Sequence, residues 1–266
     1  MKDYLIDTHA HADLVISNNE FDNNGEEYTL KKLISDMEEY HVGKIIIPSV
    51  ENAAIENITE LINNNNHFYG MVGIFPSEAK TYSDDIEKKL EEIARNNKKV
   101  VAVGEIGLDY YWDKSFVNEQ KEVFKKQIEL ANRLELPIVV HDRDAHKDTF
   151  DILKATNKNS EVLFHCFSGS VEFMKECVKQ GWYIAIGGVV TFKNAVKMKD
   201  VAREIPLDKL VLETDSPYLT PVPYRGKLNK PAYVKFVAEE IAKIRNISFD
   251  EIVDITTTNA ERFFKI

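Results

Sequence analysis

Residues 4–13 read Tyr4-Leu5-Ile6-Asp7-Thr8-His9-Ala10-His11-Ala12-Asp13. A short apolar run ends in a carboxylate, and two histidines follow, one residue apart. Apolar runs bounded by turn signals read as buried parallel strands. An open, doubly wound sheet usually carries a glycine-rich phosphate turn after its first strand; here His9 and His11 stand in that place. Similar runs recur at 44–49, 68–74, 100–105, 138–141, 162–165, 183–187 and 210–215. Helical periodicity fills the spaces at 30–40, 53–63, 84–96, 116–134, 145–155, 171–179, 195–203 and 232–245, with further helix at 249–264. Eight strands alternating with eight helices predict a closed (β/α)8 barrel of the TIM type, a single domain over residues 1–266. The 266 residues suit one such barrel, which runs to about 250.

Composition narrows the function classes. With 34 basic and 44 acidic residues the formal charge is −10, which argues against tight, sequence-independent binding of nucleic acid. A phosphate-handling enzyme of this charge needs local positive groups or bound metal ions. Cys166 and Cys177 are the two cysteines, with no CxxC, so neither a disulfide framework nor a zinc–thiolate site is expected. The N-terminus lacks the apolar run of a signal peptide, and no stretch approaches 18 apolar residues. The cytoplasm is the expected compartment, with no membrane and no stable protein partner. The polar stretch 17–28 reads as a surface loop.

In a barrel, the C-terminal strand ends open onto one face, where active sites sit. His9 and His11 follow the first run, and Glu105, His141, His165 and Asp215 end the fourth, fifth, sixth and eighth. Residues 206 positions apart in sequence therefore converge on one pocket. Along an extended segment, positions i and i+2 project to the same side, so the imidazoles of His9 and His11 can reach one ion. Taken singly, a histidine is more often an ordinary surface residue; His41, His67 and His146 end no run and receive no role. A carboxylate at the end of an apolar strand is costly to bury unless it is paired or metal-bound. The two oxygens of Glu105 suit a bridge between ions, and Gly104 and Gly107 beside it would let the backbone approach a ligand. Asp215 can ligate an ion and take a proton from attacking water, so Glu105 and Asp215 are the catalytic candidates. Glu213 would orient ligands or form a salt bridge inside the barrel. Cys166 reads as a small apolar residue.

Substrate contacts follow from chemistry at the same face. Arg143, Arg225 and Lys227 are candidates for phosphate, Arg because its fork of donors matches phosphate oxygens. Ser168 precedes a helix start, whose backbone N–H groups suit an anion. Tyr110 and Tyr111 are candidates for stacking on a base, one of them more naturally a core residue.

IDTHAHAD (6–13), GEIGLDYYWD (104–113), IVVHDRDA (138–145), HCFSG (165–169) and LETDSPYLTPVPYRGKLNKP (212–231) resemble the motifs of the TatD family of metal-dependent deoxyribonucleases. The resemblance runs in order from Leu5 to Phe263 and implies a barrel of the amidohydrolase-like superfamily. It implies that His9, His11 and Asp215 hold one divalent ion, that His141 and His165 hold another, and that Glu105 bridges them. It also implies 3′-directed exonuclease action on DNA through a two-metal-activated water. Mixed imidazole and carboxylate ligands suit Zn, Mn, Fe or Ni, and Mg where waters complete the shell. Where the family commonly has His-Pro-His after the third strand, this chain has Phe75-Pro76-Ser77, and Ala12 replaces a larger apolar residue. These departures bear on substrate handling and leave the six ligands intact. The competing expectations are a hydrolase of an amide, ester or lactone on the same scaffold, and a non-enzymatic binding protein.

Overall fold

The computed structural model describes residues 2–17, 25 and 27–266. Strands β1 Leu5–Asp7, β2 Val42–Pro48, β3 Phe68–Val72, β4 Val100–Asp109, β5 Ile138–Arg143, β6 Val162–Phe164, β7 Tyr183–Ile186 and β8 Leu210–Leu212 pair in sequence order, each parallel to the next. Backbone bonds draw β8 to β1 and nearly close the barrel. The Thr8 N–H donates to the Leu212 carbonyl at 3.0 Å, the Asp215 N–H to His9 at 2.9 Å and the His11 N–H to Ser216 at 2.9 Å. A doubly wound sheet would reverse its strand order; this one never does.

Around the sheet lie α1 Ala12–Ser17, α2 Leu30–Glu39, α3 Ile55–Asn63, α4 Asp84–Asn96, α5 Val117–Leu134, α6 His146–Thr156, α7 Val171–Lys179, α8 Val196–Glu204, α9 Val234–Arg245 and α10 Phe249–Phe264. Serine or threonine hydroxyls cap α2, α4, α7 and α10, each accepting a first-turn N–H. Helix α1 was not expected, because six residues are too few to show a helical period; its Ala12 and Val15 are fully buried. Residues 18–24 and 26 of the expected 17–28 loop lie outside the described residues. Of the rest, Ser17 closes α1, and Tyr28 is buried with its hydroxyl donating to Asp36 at 2.9 Å.

The strands are buried on both faces, as a parallel sheet under helices requires. Ile45, Ile47, Ile138, Val140, Ile184 and Ile186 pack with the helices. Their alternates Ile6, Ile46, Val139, Leu163, Ala185 and Val211 fill the barrel and meet Ala260, Phe263 and Phe264 of α10 at its lower end. Each of the larger of these side chains, Val, Leu, Ile or Phe, contributes about 1.5–3 kcal/mol by leaving water.

Two strands run past their expected ends. β4 continues to Asp109 and β5 to Arg143 because Ile106 to Asp109 keep pairing with Val140 to Arg143. The register steps three residues along β4, from Val103 to Ile106, for two along β5. This bulge holds Glu105 and re-aims it toward the barrel mouth. Gly107 has a φ of 148°, and a Cβ there would lie 2.0 Å from the His141 carbonyl oxygen. A Cβ on Gly104 would lie 2.8 Å from Val139 Cβ. The two glycines therefore admit the neighbouring strand β5, where the sequence had suggested a ligand.

Candidate metal centre

Strand period places the cluster. His141, His165 and Glu213 each lie two residues beyond an interior side chain, Val139, Leu163 and Val211, and continue those columns into the barrel mouth. His9 and His11 follow β1. Asp215 sits in a left-handed turn after β8, with φ of 55°, a conformation that a short polar side chain tolerates. The bond from its N–H to the His9 carbonyl fixes these two across the barrel seam.

Glu105 lies at the centre and is almost fully buried. Its Oε2 is 3.2 Å from His9 Nε2 and 3.9 Å from His11 Nε2. Its Oε1 is 2.9 Å from His141 Nδ1 and 2.8 Å from His165 Nε2. Asp215 Oδ1 closes the first side, 3.5 Å from His11 Nε2 and 3.9 Å from His9 Nε2. The His9 and His165 rings stack with centroids 3.9 Å apart.

Burial works against the charged form of Glu105, but the charges of His165 and His9 outweigh it and hold the carboxyl well below its usual range. Asp215 is likewise lowered against burial, chiefly by its hydrogen bond with His11. Burial, then the neighbouring His165, lowers His9. For His11, burial is outweighed by Asp215 and the value rises; for His165, burial is outweighed by Glu105 and the value rises well above the usual range. The donor set fits a divalent cation. His9 has both ring nitrogens buried without a hydrogen-bond partner, although Nε2 faces two carboxylates. Among the described residues, ligand atoms of His9, His11 and Asp215, and of His9, Glu105 and His165, lie within 4.8 Å of one another. His141 offers Nδ1 to the same space, while its Nε2 is held by Asp109 Oδ2 at 3.0 Å.

Sequence reasoning passed over the residues that hold this arrangement. Buried Asp109 orients His141 and also accepts the Tyr111 N–H at 2.9 Å. Gln120 clamps the Asp109 backbone with bonds of 2.9 and 3.0 Å. Gln127, seven residues on and so on the same face of α5, does the same for Ile74 at 2.7 and 3.0 Å. Asn229 bonds the Thr214 carbonyl at 2.9 Å and also that of Tyr218, pinning the Asp215 turn. Two glutamines one heptad apart on the apolar face of a helix are the signal that could have been read.

Other sequence candidates fall as follows. Glu213 is fully buried; its Oε1 accepts the Cys166 N–H at 2.6 Å and its Oε2 lies 3.8 Å from His165 Nδ1. Burial, then Asp215 and Glu213, pushes the Cys166 thiol up. Arg143 lies over the Tyr111 ring at 3.8 Å. Tyr110 is the core member of the tyrosine pair, its hydroxyl on Asp148 at 2.9 Å, and Tyr111 is exposed. Arg225 and Lys227 are exposed on the loop after β8, Arg225 lying 3.9 Å over Phe192. Ser168 is exposed two residues before Ser170, which caps α7. Phe75 packs edge-on against His141 with ring centroids 4.5 Å apart, while Ser77 points to solvent. His41, His67 and His146 have no hydrogen bond or ion pair with the cluster; His146 pairs with Asp142 at 2.7 Å. Among the described residues, no helix is long and apolar enough to cross a membrane.

Comparison with known proteins agrees with this architecture. A sequence profile of the family described as "TatD related DNase" matches residues 6–265. The chain is 43% identical over 265 residues to a Bacillus subtilis (strain 168) protein named "uncharacterized metal-dependent hydrolase YabD", covering 98% of this chain and 99% of that one. The solved structure of YJJV, a TatD homolog from Escherichia coli K12, superposes with a TM-score of 0.87 at 29% identity and 98% coverage of both chains. A beta-aspartyl dipeptidase from Fervidobacterium islandicum is 17% identical, with a TM-score of 0.66 over 99% of this chain and 75% of that one, and shares the fold.

Proposed function

Since the chain belongs to the TatD family of metal-dependent hydrolases, we propose that it is a deoxyribonuclease that hydrolyses DNA phosphodiesters from the 3′ end. The division of the Glu105 carboxylate between two imidazole pairs supports this reading most strongly. His9, His11 and Asp215 would hold one divalent ion, His141 and His165 a second, with one Glu105 oxygen toward each. When bound, such a pair supplies Lewis acidity and a nucleophilic water at neutral pH, the chemistry that phosphodiester hydrolysis needs. Mg, Zn, Mn, Fe and Ni are all compatible with the donor set. The chain's own residues do the rest. Asp215 accepts the proton of the attacking water. Asp109 keeps His141 oriented through its 3.0 Å contact, and Glu213 places a carboxylate 3.8 Å behind His165. Arg143 donates to phosphate oxygens, since among the described residues it has no carboxylate partner. A neutral amide, ester or lactone would offer that cation no anionic partner, whereas every phosphodiester does. The two free thiols fit a reducing, cytoplasmic setting.

A single-turnover assay of the metal-loaded protein on single- and double-stranded DNA, RNA and a panel of small esters tests the reading. Mononucleotide release from the 3′ end of DNA is the expected result. Ester turnover without cleavage of any nucleic acid would replace it with the carbonyl hydrolase, and inertness toward every substrate would favour a binding protein.

A further inference from the structure

We propose that Tyr111, Trp112 and Arg143 form a nucleobase-stacking shelf beside the metal centre, an inference that rests on the nucleic-acid reading above. Tyr111 and Trp112 leave 53% and 73% of their surface in water, an unusual placement for two adjacent aromatic rings. The rings meet edge to face with centroids 4.9 Å apart. The Arg143 guanidinium lies 3.8 Å from the Tyr111 centroid and 5.4 Å from that of Trp112. Arg143 pairs with Asp109 in the β4–β5 register, so cation and rings rise from adjacent strands.

The shelf is tied to the metal ligands through one side chain. Asp109 Oδ1 accepts the N–H groups of Tyr111 at 2.9 Å and Trp112 at 3.3 Å, while Oδ2 holds His141 Nε2 at 3.0 Å. Gln120 fastens the Asp109 backbone in turn. The backbone that carries the rings is therefore held relative to His141. An exposed indole, a guanidinium with no ion pair among the described residues and a neighbouring centre proposed to act on phosphate together fit a planar base joined to a phosphodiester. Stacking of this kind accepts any unpaired base, because every base has a π face. Arg143 would bind the phosphate beside the stacked base.

Trp112 supplies the test. The full-length, metal-loaded protein is titrated with a labelled oligothymidylate carrying phosphorothioate linkages, which resist cleavage, and with an abasic oligomer of equal length. Binding is read by anisotropy. Trp112→Ala is expected to weaken oligothymidylate binding about tenfold and to leave abasic binding unchanged, with Trp112→Phe recovering most of the loss. The other tryptophan, Trp182, is buried, so in a Trp182→Phe background oligothymidylate should quench the remaining emission. Equal affinity of the Trp112→Ala variant and its parent, in a parent that cleaves unmodified DNA, overturns the shelf and leaves the nuclease reading standing. A parent that neither binds nor cleaves any oligonucleotide overturns both.

Discussion

His141 has both ring nitrogens engaged, Nδ1 toward Glu105 and His165 and Nε2 on Asp109. A carboxylate behind a ligating imidazole fixes its tautomer, and its loss typically costs 10–100-fold in metal affinity or activity. Asp109→Asn should therefore lower metal affinity by about that factor without changing the melting temperature by more than a few degrees. Competition with a chelator measures this, and unchanged affinity would remove Asp109 from the account. The Phe75 ring packs against that of His141 in a T-shaped contact, at a position where the family resemblance leads to the expectation of a histidine. It can neither donate a hydrogen bond nor deliver a proton. The double change Phe75→His with Ser77→His should leave metal content as it is and speed DNA cleavage; unchanged cleavage would make these positions loop variation. The six candidate ligands could be picked out in the sequence because each sits at or just beyond an apolar run, and the barrel brings such positions together. Asp109 was not, because its partner His141 stands 32 positions away and only the β4–β5 pairing joins them.

Helix α5 shows the same limit at the scale of an element. Its periodicity announced the helix, yet Gln120 and Gln127 read there as ordinary polar residues. Both are buried, and each clamps a loop or strand end that borders the cluster. Gln127→Leu would leave the Ile74 N–H and C=O without a side-chain partner, at a cost of about 1–3 kcal/mol per buried group. Thermal melting should show a loss of several degrees; a variant as stable as its parent would mean that water or another group takes over those bonds. Strand and helix positions were legible because apolar runs and helical periods are local signals. The bulge at Glu105 and the extra length of β4 and β5 were not, since they depend on the register between strands. The missing Cβ of Gly107 shows why that register is possible, and a lone sequence does not reveal which neighbour a glycine admits.

Across the whole molecule, Glu261 of α10 joins the lower end of the barrel to the start of the chain. It receives Lys2 at 2.5 Å, Lys44 at 3.1 Å and the Tyr4 hydroxyl. Burial would raise its pKa, but these partners bring it from the usual 4.5 to about 2. The stabilisation is therefore whole above pH 4.5 and is lost as pH falls toward 2. Glu261→Gln should flatten that part of the stability–pH curve, by about 1–2 kcal/mol once solvent screening is allowed for. Urea unfolding between pH 2 and 6 measures it, and parallel curves for variant and parent would contradict it. A formal charge of −10 gives nucleic acid no general attraction, so the proposed binding would rest on local positive groups such as Arg143 and on ions held at the barrel mouth. All of this depends on six side chains acting as one two-ion centre around Glu105. Titration of the ion-free protein with Mn²⁺, followed by calorimetry, tests that most directly. The expected result is two ions per chain, falling to one or none in a Glu105→Ala variant that melts like its parent. Two ions bound equally well without the Glu105 carboxylate, or a parent that saturates at one, would contradict the account.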